Sequence, residues 1–200
     1  MAAPQAIIVA GPNGSGKTTF ALEYLQQYAQ PYLSADAIAD EMAAPVEEVR
    51  VEAGKRFLRG ISAEIQERHS FLVESTLSGL TFKRLIRQMA QSGYEVSIVF
   101  IFLRSADACV ARILERVRKG GHPVPEADAR RRFSRSIRNF WRLYRPLVDH
   151  WYLYYNGGVH FHEVALGEAD SVEVRDEDVF ERFRKISEGH YDECDPFSEP

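Results

Sequence analysis

The chain has 200 residues, of which 45% are hydrophobic and 27% charged. This is the size and average composition of one globular domain, and it excludes collagen-like, coiled-coil and disordered sequences. The longest apolar run, near residues 96–103, is far shorter than the roughly 20 residues of a membrane-spanning helix. Residues 1–5 lack the basic region of a secretory signal, and two cysteines, Cys109 and Cys194, cannot form a disulfide framework. We therefore expect a cytoplasmic protein with no membrane partner.

The net charge of −4 is distributed unevenly along the chain. Residues 104–145 carry 12 basic and 4 acidic side chains, a net charge of +8, whereas residues 163–200 carry 4 basic and 13 acidic side chains, a net charge of −9. An acidic chain is a poor candidate for non-specific binding of nucleic acid, so no nucleic acid is expected as a partner. The basic segment suits a compact, highly charged ligand better.

Strand and helix patterns alternate along most of the chain. Short apolar runs predict strands over residues 5–10, 31–34, 70–74 and 95–103. Helical spacing of apolar residues predicts helices over residues 17–27, 45–67 (with Pro45 at the start), 82–89, 105–118, 125–147 and 176–187. Residues 151–155 and 159–164 flank Asn156-Gly157-Gly158, which predicts a hairpin.

This alternation predicts an α/β fold with a largely parallel sheet flanked by helices. We expect a single domain over residues 1–190, with a C-terminal hairpin, and a flexible acidic tail over residues 191–200. The aromatic residues between 141 and 155 could stack a base, but their spacing favours a core between helices and sheet.

The strongest motif is GPNGSGKT at residues 11–18, which fits G-x-x-x-x-G-K-[ST] and lies between a predicted buried strand and a helix. Its glycines allow the backbone N–H groups to surround a phosphate chain, and the following helix adds its positive end. Lys17 supplies a cation, and the Thr18 hydroxyl can bind Mg²⁺. The motif predicts an ATP or GTP site, with these binding residues: Gly11, Asn13, Gly14, Ser15, Gly16, Lys17, Thr18 and Thr19.

Two carboxylates follow predicted strands, at the edge where ligands bind in α/β sheets. Asp36 and Glu74 could each accept a proton from an attacking hydroxyl, hold Mg²⁺ or hold an acceptor hydroxyl. Asp36 could also be the N-cap of a helix, and Glu74 an exposed strand end. The absence of an N-K-x-D motif disfavours a GTPase, and the absence of an apolar run ending in Asp-Glu disfavours a motor ATPase.

The basic segment is predicted to form an arginine-rich lid over about residues 112–135. Two predicted helices bear the arginines, and the Gly-rich corner at residues 120–125 joins them. Arginine suits a lid because its planar guanidinium grips phosphate oxygens. A solvated helix face is the alternative for any single arginine in this group: Arg112, Arg116, Arg118, Arg130, Arg131, Arg132 and Arg135.

Together these motifs resemble the zeta-toxin-like P-loop kinases, of the UDP-N-acetylglucosamine kinase type. The four matching elements are GPNGSGKT (11–18), YLSADAIA (32–39), FLVESTLSG (71–79), and ERVRKGGHPVP with the following RRRF (115–125 and 130–133). They span roughly two thirds of the chain, and the last is the most specific.

The resemblance implies a phosphotransferase that uses ATP and Mg²⁺ and acts on the sugar 3′-hydroxyl of UDP-N-acetylglucosamine or a related small molecule. It implies that Lys17 and Thr18 bind phosphates and Mg²⁺. Asp36 would be the general base, and Glu74 and Thr76 would orient the acceptor. The candidates to stabilise the γ-phosphate are Arg116, Arg118 and Arg132, and the three-arginine run leaves open which of its members faces the phosphate. Toxin members of this family have antitoxin partners, so an antitoxin protein is a candidate partner.

Other functions remain open from the sequence. A nucleotide-gated protein could bind ATP, close its lid and present a surface to a partner with little turnover. A kinase for another small acceptor, such as a nucleoside or an antibiotic, would have the same phosphate site. A polynucleotide 5′-hydroxyl kinase is disfavoured by the acidic net charge.

Overall fold

The computed structural model describes residues 2–42, 46–121, 123–168 and 171–189. The predicted acidic tail (191–200), Pro45 and the histidine of the Gly-rich corner, His122, lie outside the described residues.

One seven-stranded sheet organises the described residues, in the order β2-β3-β1-β4-β5-β6-β7. Strands β1 to β5 pair in parallel, whereas β6 and β7 are antiparallel. The predicted α/β fold with a largely parallel sheet is therefore confirmed. The strands are β1 (Gln5–Ala10), β2 (Tyr32–Leu33), β3 (Phe71–Ser75), β4 (Glu95–Phe102), β5 (His150–Tyr155), β6 (His162–Glu168) and β7 (Glu173–Val174).

Helices connect the parallel strands and follow the last strand. They are α1 (Lys17–Gln27), α2 (Ala35–Asp40), α3 (Val46–Glu67), α4 (Thr81–Gln91), α5 (Ala106–Arg118), α6 (Glu126–Asn139) and α7 (Glu177–Glu188). No helix among these described residues combines the length and apolar character needed to cross a bilayer.

The chain is helical over nearly all of the segment predicted as a helix, residues 125–147, but not as one continuous α-helix. Helix α6 ends at Asn139, a π-helical segment follows over Phe140–Tyr144, and a 3₁₀ turn covers Arg145–Leu147. Pro146 has no N–H to continue the hydrogen-bond ladder beyond the π-helical segment. Phe140 and Tyr144 are fully buried.

The C-terminal hairpin forms, but its second strand begins later than predicted. Strand β6 starts at His162 rather than at residue 159, and a bulge interrupts its pairing with β5 between Leu153 and Tyr154. Val159 is 92% exposed, so it contributes no packing that would extend the strand. The short strand β7 was not predicted.

The two faces of the sheet are covered unequally. One face carries the main core, in which helices α3 to α7 pack on the strands and Tyr144 and Trp151 are fully buried. This burial confirms the prediction that the aromatic stretch belongs to the core. The other face is covered mainly by α1. A cavity of about 410 Å³ opens there at the amino ends of β1, β4 and β5, away from the motif at residues 11–18.

The connections define where a ligand can bind. After β1 the chain passes to α1 on one face, and after β3 it passes to α4 on the other face. Neighbouring parallel strands whose connections diverge in this way leave a crevice at their carboxyl ends. The motif at residues 11–18 follows β1, and Glu74 lies near the end of β3, so both border this crevice.

Candidate active site

The phosphate loop, residues 11–18, depends on glycine conformations. Gly11, Gly14 and Gly16 have positive φ angles of 145°, 80° and 100°, which side-chain-bearing residues rarely adopt. A Cβ atom at Gly14 would also lie 2.6 Å from the carbonyl oxygen of Cys109 in α5. The loop is therefore packed tightly against α5, and its shape requires glycine.

The N-terminus of α1 is left without a side-chain cap. Its N-cap residue is Gly16, whereas Ser34, Ser105 and Asp176 cap helices α2, α5 and α7 with side-chain oxygens. The buried Ser15 hydroxyl has no hydrogen-bond partner among the described residues. Uncapped N–H groups at a helix start, together with the helix dipole, favour an anion. This cradle fits a phosphate group.

Lys17 is a buried cation beside this cradle. Its Nζ donates a hydrogen bond to the Pro12 carbonyl at 2.9 Å and lies 3.9 Å from Glu74 Oε1. Burial lowers the pKa of Lys17, while the carboxylates of Glu74 and Asp36 act in the opposite direction and the positive charge of Arg116 lowers the pKa further. These effects show that both acids and Arg116 are close enough to Lys17 to act on its charge.

Glu74 links the phosphate loop to the sheet edge. Its Oε2 accepts hydrogen bonds from Thr18 Oγ1 at 3.0 Å and from the Tyr32 hydroxyl at 2.7 Å. Only 9% of the residue is exposed, so the alternative of a solvent-exposed strand end is wrong. Burial and the negative charge of Glu74 raise the pKa of Tyr32, which keeps its hydroxyl a donor.

The residues present fit a Mg²⁺ ion that is shared with a phosphate ligand. The Thr18 hydroxyl and the Glu74 carboxylate supply the oxygen ligands that Mg²⁺ prefers. Within the described ranges, no group of three or more acidic, histidine or cysteine side chains could hold a metal alone. Mg²⁺ usually keeps several waters and binds one or two protein groups together with substrate phosphates, and the site matches that pattern.

Asp36 lies in the first turn of α2. The Ser34 hydroxyl caps this helix by accepting from the Ala37 N–H at 3.4 Å, so the alternative that Asp36 is the N-cap is wrong. Asp36 is exposed, and across the part of the chain that the structure describes no hydrogen bond or ion pair holds its carboxylate. Its negative charge opposes the larger lowering of the Lys17 pKa by burial, and it adds a small part to the raised pKa of Tyr32, which burial mainly causes. It therefore remains available to a ligand at the same edge.

The three arginines at residues 130–132 make partly shared contacts, since Arg131 and Arg132 both pair with Asp128. Arg132 Nη1 lies 3.5 Å from Asn13 Oδ1 in the phosphate loop. Arg130 pairs with Asp107 at 2.6 Å and with Glu126, and Arg131 pairs with Asp128 at 2.7 Å. Of these three arginines, the structure brings Arg132 to the loop.

The arginines of α5 are placed differently from one another. Arg116 is half-buried and close enough to Lys17 to lower its pKa. A Cβ at Gly121 would lie 2.6 Å from Arg116 Cγ, so this glycine leaves room for the arginine stem. Arg118 is exposed and is not brought to the phosphate loop.

Thr76 lies one residue beyond β3, and its Oγ1 is 2.9 Å from the Ser78 hydroxyl. Its carbonyl accepts a hydrogen bond from Ser136 of α6. Thr76 is half-buried, and Thr19 in the first turn of α1 is exposed.

The sequence analysis missed the role of Asn156. At the end of β5, its Nδ2 donates to the Ser15 carbonyl at 2.9 Å, and its own carbonyl accepts from Arg112 at 2.7 Å. The sequence feature that could have revealed Asn156 is a polar residue at the end of an apolar strand, as for Glu74. The Asn-Gly-Gly sequence pointed instead to a simple hairpin turn.

Comparison with known proteins supports this fold. A family model described as an AAA domain (AAA_33) matches residues 7–136. An uncharacterized protein of Haemophilus influenzae (strain ATCC 51907 / DSM 11121 / KW20 / Rd) is 28% identical over 130 residues, which are 64% of this chain and 92% of the relative.

Solved structures show the same architecture at low sequence identity. The AvrRxo1-ORF1:-ORF2 crystal structure with ATP superposes with a TM-score of 0.73 at 18% identity, over 96% of this chain and 66% of that chain. The structure of the PezAT chromosomal toxin-antitoxin system of Streptococcus pneumoniae gives a TM-score of 0.62 at 14% identity, over 96% and 82% of the two chains.

These likenesses show the fold, which is that of P-loop kinase-like proteins. The family model covers most of the chain, including the phosphate loop, Glu74 and Arg132. The chain belongs to this AAA domain family of P-loop proteins.

Proposed function

We propose that this protein is an ATP-dependent phosphotransferase that transfers the γ-phosphoryl group to a hydroxyl of a small molecule. The observation that carries this proposal is the pair of carboxylates beside Lys17. Glu74 is bonded to Thr18 and Tyr32, whereas Asp36 is exposed and unbonded within the described part of the chain. A nucleotide switch needs no second, free carboxylate there, but a hydroxyl acceptor needs a proton acceptor.

The phosphate chain of ATP would lie in the cradle of residues 11–18. The loop N–H groups and Lys17 bind its oxygens, and Arg132 and Arg116 add positive charge at the transferring group. Thr18, with Glu74 behind it, would hold Mg²⁺, which neutralises charge on the β- and γ-phosphates when bound. Arg118 is exposed in this structure, so its contribution requires movement of the predicted lid.

Asp36 acts as the general base. The acceptor O–H proton passes to the Asp36 carboxylate as the acceptor oxygen forms a bond to the γ-phosphorus. The bond between that phosphorus and the β–γ bridging oxygen breaks, and ADP leaves with the electron pair. Glu74 and Thr76 orient the acceptor, and the protein excludes water so that transfer is favoured over hydrolysis.

For the acceptor, we propose the sugar 3′-hydroxyl of UDP-N-acetylglucosamine or of a related sugar nucleotide. The resemblance of the motifs to zeta-toxin-like kinases supports this choice, and the fold shared with the PezAT structure is consistent with it. By the same reasoning, an antitoxin protein is the proposed macromolecular partner.

The proposal is tested by transfer of label from γ-labelled ATP to UDP-N-acetylglucosamine, with a panel of nucleosides, sugars and antibiotics in parallel. We expect a labelled sugar nucleotide that disappears with Lys17→Ala. Asp36→Asn should lower kcat by about 10²–10⁴-fold and leave the Kd for ATP within a factor of about three, since base catalysis contributes in this range.

The matched control is Asp178→Asn, because Asp178 is likewise an exposed aspartate at the second position of a capped helix. It should leave transfer unchanged. More than a tenth of the wild-type rate in Asp36→Asn would show that another group is the base. Tight ATP binding with no transfer to any acceptor would indicate a nucleotide-gated binding protein.

A further inference from the structure

The loop between β3 and α4, residues 76–80, has an unusual backbone. Leu77 has a φ angle of +51° although it is not glycine, and its side chain is only 2% exposed. A left-handed conformation at such a residue is unfavourable and persists only where the surrounding structure fixes it. Something outside the loop must therefore hold it.

Four consecutive carbonyls of this loop accept hydrogen bonds from one neighbouring segment, α6 and the π-helical turn after it. Ser136 Oγ donates to the Thr76 carbonyl. Asn139 Nδ2 donates to the carbonyls of Leu77 at 3.0 Å and Ser78 at 3.2 Å. The Tyr144 hydroxyl donates to the Gly79 carbonyl at 2.6 Å. The β3–α4 loop is thus fixed by side chains that lie about sixty residues later in the sequence.

The side chains that donate these hydrogen bonds are buried, so losing the bonds would leave unpaired polar groups in the protein interior. Ser136 is fully buried and Asn139 is 8% exposed, on a helix face that also buries Phe133 and Ile137. Polar groups placed in such surroundings are unfavourable unless they are bonded. Asn139 satisfies this requirement by placing one amide nitrogen between two loop carbonyls.

With its carbonyls bonded to this segment, the loop keeps the hydroxyls of Thr76 and Ser78 bonded to each other. Thr76 Oγ1 and Ser78 Oγ lie 2.9 Å apart, and both residues are half-buried. Thr76 lies two residues after Glu74, whose carboxylate faces the phosphate loop. A shift of the loop backbone would therefore move Thr76 relative to Glu74.

The same helix also reaches the phosphate loop. Arg132, Ser136 and Asn139 are spaced four and three residues apart, so they lie along one side of α6. Arg132 contacts Asn13, whereas Ser136 and Asn139 contact the β3–α4 loop. Helix α6 therefore contacts both the phosphate loop and the β3–α4 loop.

We propose that Asn139 and Ser136 are positioning residues for the acceptor: they hold the β3–α4 loop so that Thr76 and Glu74 meet the acceptor hydroxyl in the geometry required for transfer. This inference rests on the proposed phosphotransferase function. It assigns the two residues no contact with the acceptor or with ATP.

The test compares Asn139→Leu, which keeps the side-chain volume but removes both donated bonds, with Arg138→Ala, an exposed neighbour on the same helix. Asn139→Leu should raise the acceptor KM by about 10–100-fold, because small misplacements of positioning groups have effects of this size. The Kd for ATP should change less than about twofold, and hydrogen–deuterium exchange at residues 76–80 should become faster. Arg138→Ala should change none of these quantities.

Ser136→Ala, which removes one bond, is the second variant if Asn139→Leu does not fold, and it should show the same changes at smaller size. Faster exchange with an unchanged acceptor KM would overturn the positioning role, as would unchanged exchange. Absence of transfer by the wild-type protein would instead overturn the proposed function itself, and the exchange data would still show whether α6 holds the loop.

Discussion

The loops that follow β1 and β3 lie side by side at one edge of the sheet but obtain their shapes in different ways. The phosphate loop is specified locally, by glycines at residues 11, 14 and 16 and by the helix that starts at Lys17. The β3–α4 loop contains a left-handed Leu77 and is fixed by donors from α6 and the π-helical turn. A short motif can therefore reveal the first loop, whereas the second depends on tertiary contacts.

Among the changes that compare the two loops, the largest effect should come from the loss of the Lys17 cation in the phosphate loop. Lys17→Met keeps a buried stem of similar shape but removes the cation. We expect transfer to fall by about 10²–10³-fold, the range for loss of one preorganised donor at a reacting group. Single-turnover transfer from γ-labelled ATP measures this change, with the exposed Lys185→Met as control. If Lys17→Met kept a tenth or more of the wild-type rate, the Lys17 cation would not be required for the transfer step.

A smaller effect is expected where the phosphate loop does depend on a distant residue. Asn156→Ala removes the bond to the Ser15 carbonyl, and a bond of this kind contributes about 1–2 kcal/mol. The Kd for ATP should rise about 5–30-fold, as calorimetry would measure. Val159→Ala, in the same connection and 92% exposed, should leave the Kd unchanged. An unchanged Kd in Asn156→Ala would mean that the glycines alone maintain the loop.

A change at the β3–α4 loop should affect the stability of the protein but not its binding of ATP. Tyr144→Phe removes one donor to this loop and should lower the free energy of unfolding by about 0.5–1.5 kcal/mol. Urea unfolding measures this loss, and Tyr28→Phe, at a site 57% exposed, is the control. The Kd for ATP should stay the same. If ATP binding weakened as much as stability, the two loops would not be supported independently.

The smallest effect is a pH dependence of stability. Burial lowers the pKa of Lys17 in the folded protein below 10.5, its ordinary value, so unfolding takes up a proton between these two pH values. The free energy of unfolding of the wild type, relative to Lys17→Met, should therefore increase as the pH rises through that interval. Chemical unfolding at a series of pH values up to 10.5 measures the difference. A decrease would show that the carboxylates outweigh burial at Lys17.

Much of the fold and part of the site could be predicted from the sequence, for physical reasons. The parallel strands are apolar runs, and the phosphate loop is a contiguous motif whose glycines have a local cause. Asp36 and Glu74 were found because polar residues at strand ends share an edge. The sequence could not show which of the three arginines faces the phosphate loop. That depends on the carboxylates that pair with Arg130 and Arg131 in the folded protein.

The remaining features depend on distance in space rather than along the chain. Ser136 and Asn139 interrupt an apolar helix face, but only the packed structure shows the carbonyls that they bond. Similarly, the change from α-helix to a π-helical turn after Asn139 accompanies the full burial of Phe140 and Tyr144, which only the packed structure shows.

Because α5 packs closely on Gly14, the thiol of Cys109 in this helix can report on the packing beside the phosphate loop. Cys109 is fully buried, and burial raises the pKa of its thiol to about 12, so a thiol reagent meets neither an accessible nor an ionised sulfur. In a Cys194→Ser background Cys109 is the only cysteine of the chain. Its alkylation rate then measures how often the core around α5 opens, and a ligand that stabilises the packing of α5 on the phosphate loop should slow the labelling.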